Sequence, residues 1–224
     1  MKTNFKTVIT VVALTMALTG AKAQTKLSEG SVVYSITLTD NDIDPQVASF
    51  MPKEMTMYFK GDKSKTEMKM GMGQMAYIYD AKAKVMTTLT DMMGQKYCIK
   101  MTEEEMEKEG GKEKKTTIKY LDDTKVICGY TCYKAEVTTE GEKDKQTIYY
   151  TKDIVVKGAD VMKGAMKGLE GFPVEYALNQ NGIGMKMTAK TITKDKIDET
   201  IFKVPEGYKE MTKEEAMKMM GGGH

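Results

Sequence analysis

The chain has 224 residues, with 34 basic and 32 acidic side chains, a formal charge of +2, no tryptophan and one histidine, His224, at the last position. So balanced a surface lacks the basic patch that phosphate backbones require, and no nucleic-acid partner is expected. Histidine acid–base chemistry and a Ser-His-Asp triad have nothing to work with, so neither an enzyme nor a cofactor is expected.

Residues 1–23 read as a secretory signal peptide. Lys2 and Lys6 make a basic start, Val8 to Leu18 an apolar run too short to span a bilayer, and Ala21-Lys22-Ala23 a small-residue cleavage site. No cysteine follows the run, so a lipidated amino terminus is not expected. Cleavage removes Lys2, Lys6 and Lys22 and no acid, taking the formal charge from +2 to −1. The expectation is an exported protein, periplasmic or secreted, without a transmembrane segment after cleavage. Residues 24–211 read as a single β domain, and 212–224 as a short helix with a flexible glycine tail.

The first strand runs through Val32, Tyr34, Ile36 and Leu38, apolar on alternate positions. The turn after it carries Asp40, Asp42 and Asp44, but Pro45 stands where a calcium loop needs glycine and Met51 where it needs glutamate. It is read as a polar turn leading into a short helix, Gln46 to Met51. Strands joined by short turns follow: Met55–Lys60, Lys65–Met70, Gln74–Tyr79, Val85–Leu89 and Gln95–Lys100. This is the pattern of an antiparallel meander. Thr102 with Glu105 three residues on forms a capping box, which predicts a helix to Glu109. Strands resume at Thr116–Leu121, Lys125–Thr138 and Gln146–Thr151. Val161, Met162, Ala165, Met166 and Leu169 then fall at helical spacing, predicting an amphipathic helix over Asp160–Leu169. Phe172, Val174, Tyr176 and Leu178 alternate, Asn181-Gly182 makes a hairpin turn, and Met185, Met187 and Ala189 alternate on the return. A last strand is expected over Thr200–Val204, stopped by Pro205, before the capped helix Thr212–Met220.

Cys98, Cys128 and Cys132 are an odd set, and their pairing is open. On a continuous strand the α carbons of Cys128 and Cys132 would stand roughly 13 Å apart, too far for a disulfide. Gly111-Lys112 lacks the upstream glycine and helix of a P-loop. Methionine is the anomaly, since twenty of the 22 lie beyond residue 23. Methionine lines adaptable apolar surfaces, and Met185 and Met187 share one strand face as core or cavity residues would. Thioethers also bind Cu(I), and the candidate copper ligands are Met217, Met219, Met220 and His224 in the tail.

The stretches KVICGYTCYKAEV, EGFPVEY, GMKMTAKTI and ETIFKVPEGYKEMT resemble a family of exported Gram-negative proteins with a domain of unknown function, related to the GLPGLI proteins. EGFPVEY stands where those proteins have their name-giving motif, departing from its wording at Val174 and Glu175. Cys132 ends the family's Ile-x-Gly-Tyr-x-Cys pattern. The resemblance spans about Glu29 to Thr212 and implies the LolA/LolB-like class: a mainly β, α+β fold whose curved, unclosed antiparallel half-barrel carries short helices on its concave face. Taken together, these readings give a non-catalytic binding protein for an apolar small molecule, lipid, acyl chain or acylated envelope protein. Its cavity would be lined by Met162, Met166, Phe172, Val174, Tyr176, Met185 and Met187. An envelope structural or interaction protein and a Cu(I)-binding protein are the alternatives.

Overall fold

The computed structural model describes residues 27–40, 42–109, 115–141, 145–154, 166, 168–180 and 182–221. The expected signal peptide and most of the expected helix Asp160–Leu169, Met162 included, lie outside these residues.

The first arm of the fold is a meander of short hairpins: β1 (Glu29–Leu38), β2 (Glu54–Lys60), β3 (Lys63–Met70), β4 (Gly73–Asp80), β5 (Val85–Met92) and β6 (Gln95–Thr102). The second is β7 (Thr116–Ile127), β8 (Tyr130–Thr139), β9 (Gln146–Thr151), β10 (Phe172–Gln180) and β11 (Ile183–Thr193). The arms join where β11 pairs antiparallel with β1, and one sheet of twelve strands results, in the order β12-β6-β5-β4-β3-β2-β1-β11-β10-β9-β8-β7. The two-residue β12 (Lys209–Glu210) lies parallel to β6, and every other pairing is antiparallel. With β7 at one edge and β12 at the other, the sheet is unclosed.

The helices are short. In α1 (Pro45–Phe50) the Asp44 carboxylate accepts from the Gln46 amide at 2.7 Å, and Asp40 accepts from Gly184 at 2.6 Å. The aspartates of the polar turn therefore cap a helix and tie down the β10–β11 turn. Both expected capping boxes form. Glu105 accepts from the Thr102 amide at 2.7 Å before α2 (Glu103–Glu109), and Glu215 accepts from the Thr212 amide at 2.8 Å before α3 (Lys213–Gly221).

Opposite residues of antiparallel strands share a face, so the register sorts the side chains. One row runs Ile36–Met187–Tyr176–Ile148–Ala135–Tyr120 across six strands, and another runs Tyr34–Met55–Met68–Met75–Thr90–Tyr97. These rows belong to the core face. The larger core lies there, around Tyr34, Met57, Phe59, Ile148, Val174 and Tyr176. The reverse face of the first arm carries a smaller core of Ala76, Ile78, Leu89, Cys98 and Phe202.

That second core corrects one expectation. Thr200–Val204 is not a strand: Glu199–Phe202 is a 3-10 turn whose cap, the Asp198 carboxylate, accepts from the Thr200 amide at 2.9 Å. Ile197, Ile201, Phe202 and Val204 pack together on the reverse face, which a strand alternating its side chains would not allow. Lys125–Thr138 is likewise not one strand. Cys128 (φ 50°) and Gly129 (φ 79°) form a two-residue turn, and Ile127 pairs with Tyr130 across it. Positive φ at both central residues matches the right-handed twist of the flanking strands. The chain does not run straight through Gly129, and Cys98, Cys128 and Cys132 are all free thiols.

Candidate functional site

Three of the four stretches that carry the family resemblance, KVICGYTCYKAEV, EGFPVEY and GMKMTAKTI, meet in space. Pro173 has no amide hydrogen to give a ladder, and β10 shifts register between Pro173 and Glu175 against β9. The β10–β11 pairing stops at Glu175–Thr188, so the backbone beyond it needs other partners. Tyr34 supplies one, its hydroxyl donating to the Pro173 carbonyl at 2.8 Å. The β7–β8 turn supplies the other, for the Cys128 thiol donates to the Ala189 carbonyl at 3.1 Å. Burial pushes the Tyr34 hydroxyl well above the usual phenol range. Burial also pushes the Cys132 thiol up to about 11, which leaves it protonated and unreactive.

On the reverse side of the same junction, Lys125 contacts Glu175 at 2.7 Å and lies 3.7 Å from the centre of the Tyr149 ring. Lys186 reaches the same carboxylate at 3.0 Å. Burial works against the Glu175 charge, but the hydrogen bonds and charges of the two lysines outweigh it and hold the carboxyl below its ordinary range. The junction is a structural lock. Its hydroxyl, thiol, carboxylate and ammonium groups are held on backbone carbonyls or on one another.

Around the lock sit the residues expected to line a cavity. Phe172, Val174, Tyr176, Met185, Met187 and Met166 share one cluster, and none is more than 8% exposed. The structure therefore brings six of the seven together on one face, in mutual packing, while Met162 lies outside the described residues. The candidate copper ligands are not brought together by any described contact. Met217, Met219 and Met220 fall in α3, but their side chains, like His224, lie outside the described residues.

The core face changes character along the first arm. Met68, Met75, Tyr77, Met86, Tyr97 and Ile99 point to the same face as Met55 and Met57 but are only half-buried. This apolar, thioether-rich half of the face is the candidate binding surface. Alternation made its strands legible in the sequence; its partial exposure had no local signal. At the β12 edge lies a different feature, a cleft of about 480 Å³ lined by Lys100, Glu105, Lys108, Glu210 and Lys213. Two of its lysines are already paired, Lys100 with Glu210 at 2.8 Å and Lys108 with Glu104 at 2.9 Å. Among the described residues, no group of three or more His, Cys, Asp and Glu side chains could hold a metal ion, and no helix is long and apolar enough to cross a membrane.

The fold thus defines a mostly β protein built on one large unclosed antiparallel sheet. Residues 46–208 match a domain-of-unknown-function family, DUF4412, and the chain belongs to that family. No curated protein matches it. Among solved structures, two crystal forms of PNGF-II share its fold at 12% identity, with TM-scores of 0.50 and 0.52. The likeness covers 87% and 86% of this chain but only 33% and 32% of PNGF-II, so the chain spans about a third of that protein's length. A β-barrel-like protein of the DUF1849 family from Brucella abortus also matches, at 10% identity and a TM-score of 0.33, over 78% of this chain and all of that one.

Proposed function

We propose that the protein is an exported, non-catalytic carrier of the LolA/LolB-like, GLPGLI-related class, and that it holds the acyl chain of a lipid or acylated protein against the first arm of its sheet. One observation carries this reading. The rows Thr66–Tyr77–Thr88–Ile99 and Ser64–Tyr79–Met86–Met101 continue the core face, yet Tyr77, Met86, Ile99 and Met101 remain half-buried. The apolar side chains of β4, β5 and β6 in these rows offer an alkyl chain contact across three neighbouring strands, and flexible methionines adapt to its shape. A half-barrel that shelters this face from water is the finer form of the fold the proposal needs.

Native mass spectrometry after gentle extraction from the source envelope tests the reading, together with uptake of a fluorescent fatty acid. A bound lipid mass is expected, with uptake reduced at least tenfold by Ile99→Lys. Protein that always emerges empty and takes up no probe would overturn it. A second reading, an envelope interaction protein whose sheet is simply filled, is favoured by the tight packing of Phe172, Val174, Tyr176, Met185 and Met187, none of them more than 4% exposed.

A further inference from the structure

Several methionines of the first arm are placed where packing does not account for them. Met57, Met185 and Met187 are 1 to 4% exposed and belong to the core. At the α1 end of the sheet the situation is different. Met68, which packs against the edge of the larger core, lies directly opposite Met75, and β-carbons of such a pair stand roughly 5 Å apart. On the next row outward, Met70 and Met92 both pair with Gly73, one from each side. They therefore flank a position with no side chain, two strand spacings or roughly 10 Å apart. Gly73 is required there, because a β-carbon would collide with the Asp91 carbonyl oxygen. The gap between the two long side chains is thus built into the backbone.

Two more thioethers crown this row. Met72 is in the β3–β4 turn and Met93 in the β5–β6 turn, and the Met93 amide donates to the Met72 carbonyl at 3.2 Å, which fixes the turns side by side. Met93 breaks two local rules. Its φ of 53° belongs to the region that glycine and asparagine occupy most readily, and a methionine there costs about 1 kcal/mol. Its side chain is also 82% exposed, and that of Met72 48%. Folding gains nothing from an apolar thioether at such a place. Residues that break local rules without a stabilising return belong to functional sites more often than to scaffolds.

From this geometry we infer a soft-metal site: Met70, Met72, Met92 and Met93, with Met68 and Met75 behind them, bind a monovalent thiophilic cation, Cu(I) in the biological setting. Thioethers are neutral, polarizable donors that select Cu(I) over hard ions such as calcium or magnesium. The turn methionines are accessible to an arriving ion, and the half-buried ones can close around it without disturbing a backbone ladder. The site is distinct from the tail ligands Met217, Met219, Met220 and His224, and it does not depend on acyl-chain binding.

The test uses the full chain with Cys128→Ser, because that exposed thiol would outcompete thioethers, and serine can still donate to the Ala189 carbonyl. Ag(I), a redox-inert substitute, is titrated while the methionine methyl groups are followed by carbon-13 NMR. Cu(I) affinity is then measured under reducing conditions against a colorimetric Cu(I) chelator. Shifts confined to methyls of the six methionines are expected. The quadruple variant with Met70, Met72, Met92 and Met93 each replaced by Leu should lose at least tenfold in affinity while still taking up the fatty-acid probe if the parent does. Leucine is close in volume, and the double variant Met72→Leu with Met93→Leu alters only exposed turn positions, so a loss there cannot be laid to misfolding. No methyl shift, an unchanged affinity in both variants, or a loss of binding only on ending the chain at Thr212 would each overturn the inference.

Discussion

Replacing Tyr34 by Phe removes a single oxygen from the middle of the sheet. The ring can stay where it is, edge-on to Tyr176 with centroids 5.8 Å apart and planes at 72°, so packing is nearly unchanged. What is lost is the hydrogen bond to the Pro173 carbonyl, made by a residue 0% exposed to solvent. That carbonyl then stays in the core without its partner, which costs about 1–3 kcal/mol. For a domain of this size, ~2 kcal/mol lowers Tm by roughly 4–8 °C. Urea denaturation should show a lower midpoint at constant m-value, because the surface exposed on unfolding does not change. Ser35→Ala provides the contrast. Its hydroxyl donates to the Thr188 carbonyl at 3.1 Å from a half-buried position open enough for water to substitute, so a loss of about 0.5 kcal/mol is expected. Equal stability of Tyr34→Phe and the parent would refute the lock, since it would mean that the carbonyl has another donor.

Glu175→Gln should destabilise by about 1–3 kcal/mol at neutral pH, because two lysines lose their shared carboxylate. The folded-state pKa of Glu175 is depressed, so its contribution is present above the unfolded pKa and disappears as pH falls through the folded one. Parent and variant should therefore converge in stability in the acid range, and a gap that stays constant below pH 4 would count against the assignment. At Gly129 nothing lies within 4 Å of an added β-carbon, so Gly129→Ala should cost only the conformational ~1 kcal/mol in chemical denaturation. Gly73→Ala, driven into the Asp91 carbonyl, should cost clearly more, and the reverse order would remove the close approach of β4 and β5 from the account.

Sequence alone determined the local structure wherever period and punctuation agree. Alternation in Val32–Leu38, Met55–Lys60 and Phe172–Leu178 specified strands, and the two Thr-x-x-Glu boxes specified helix starts, because these signals act over a few neighbouring residues. It misread Cys128-Gly129 as strand interior, since a cysteine at positive φ has no local preference to announce the turn. An X-Gly pair between two alternating runs was the signal available. It misread Thr200–Val204 because β-branched residues there answer not to a ladder but to the apolar reverse face of Ala76, Ile78 and Leu89. Only the tertiary structure decided that β11 returns to pair with β1, more than a hundred residues away, and that Tyr34 and Cys128 serve the carbonyls the proline bulge leaves over. It alone separated the methionines of the core from those left half-exposed at the Gly73 rim. Burial is set by which strands become neighbours, and no window of sequence contains that information.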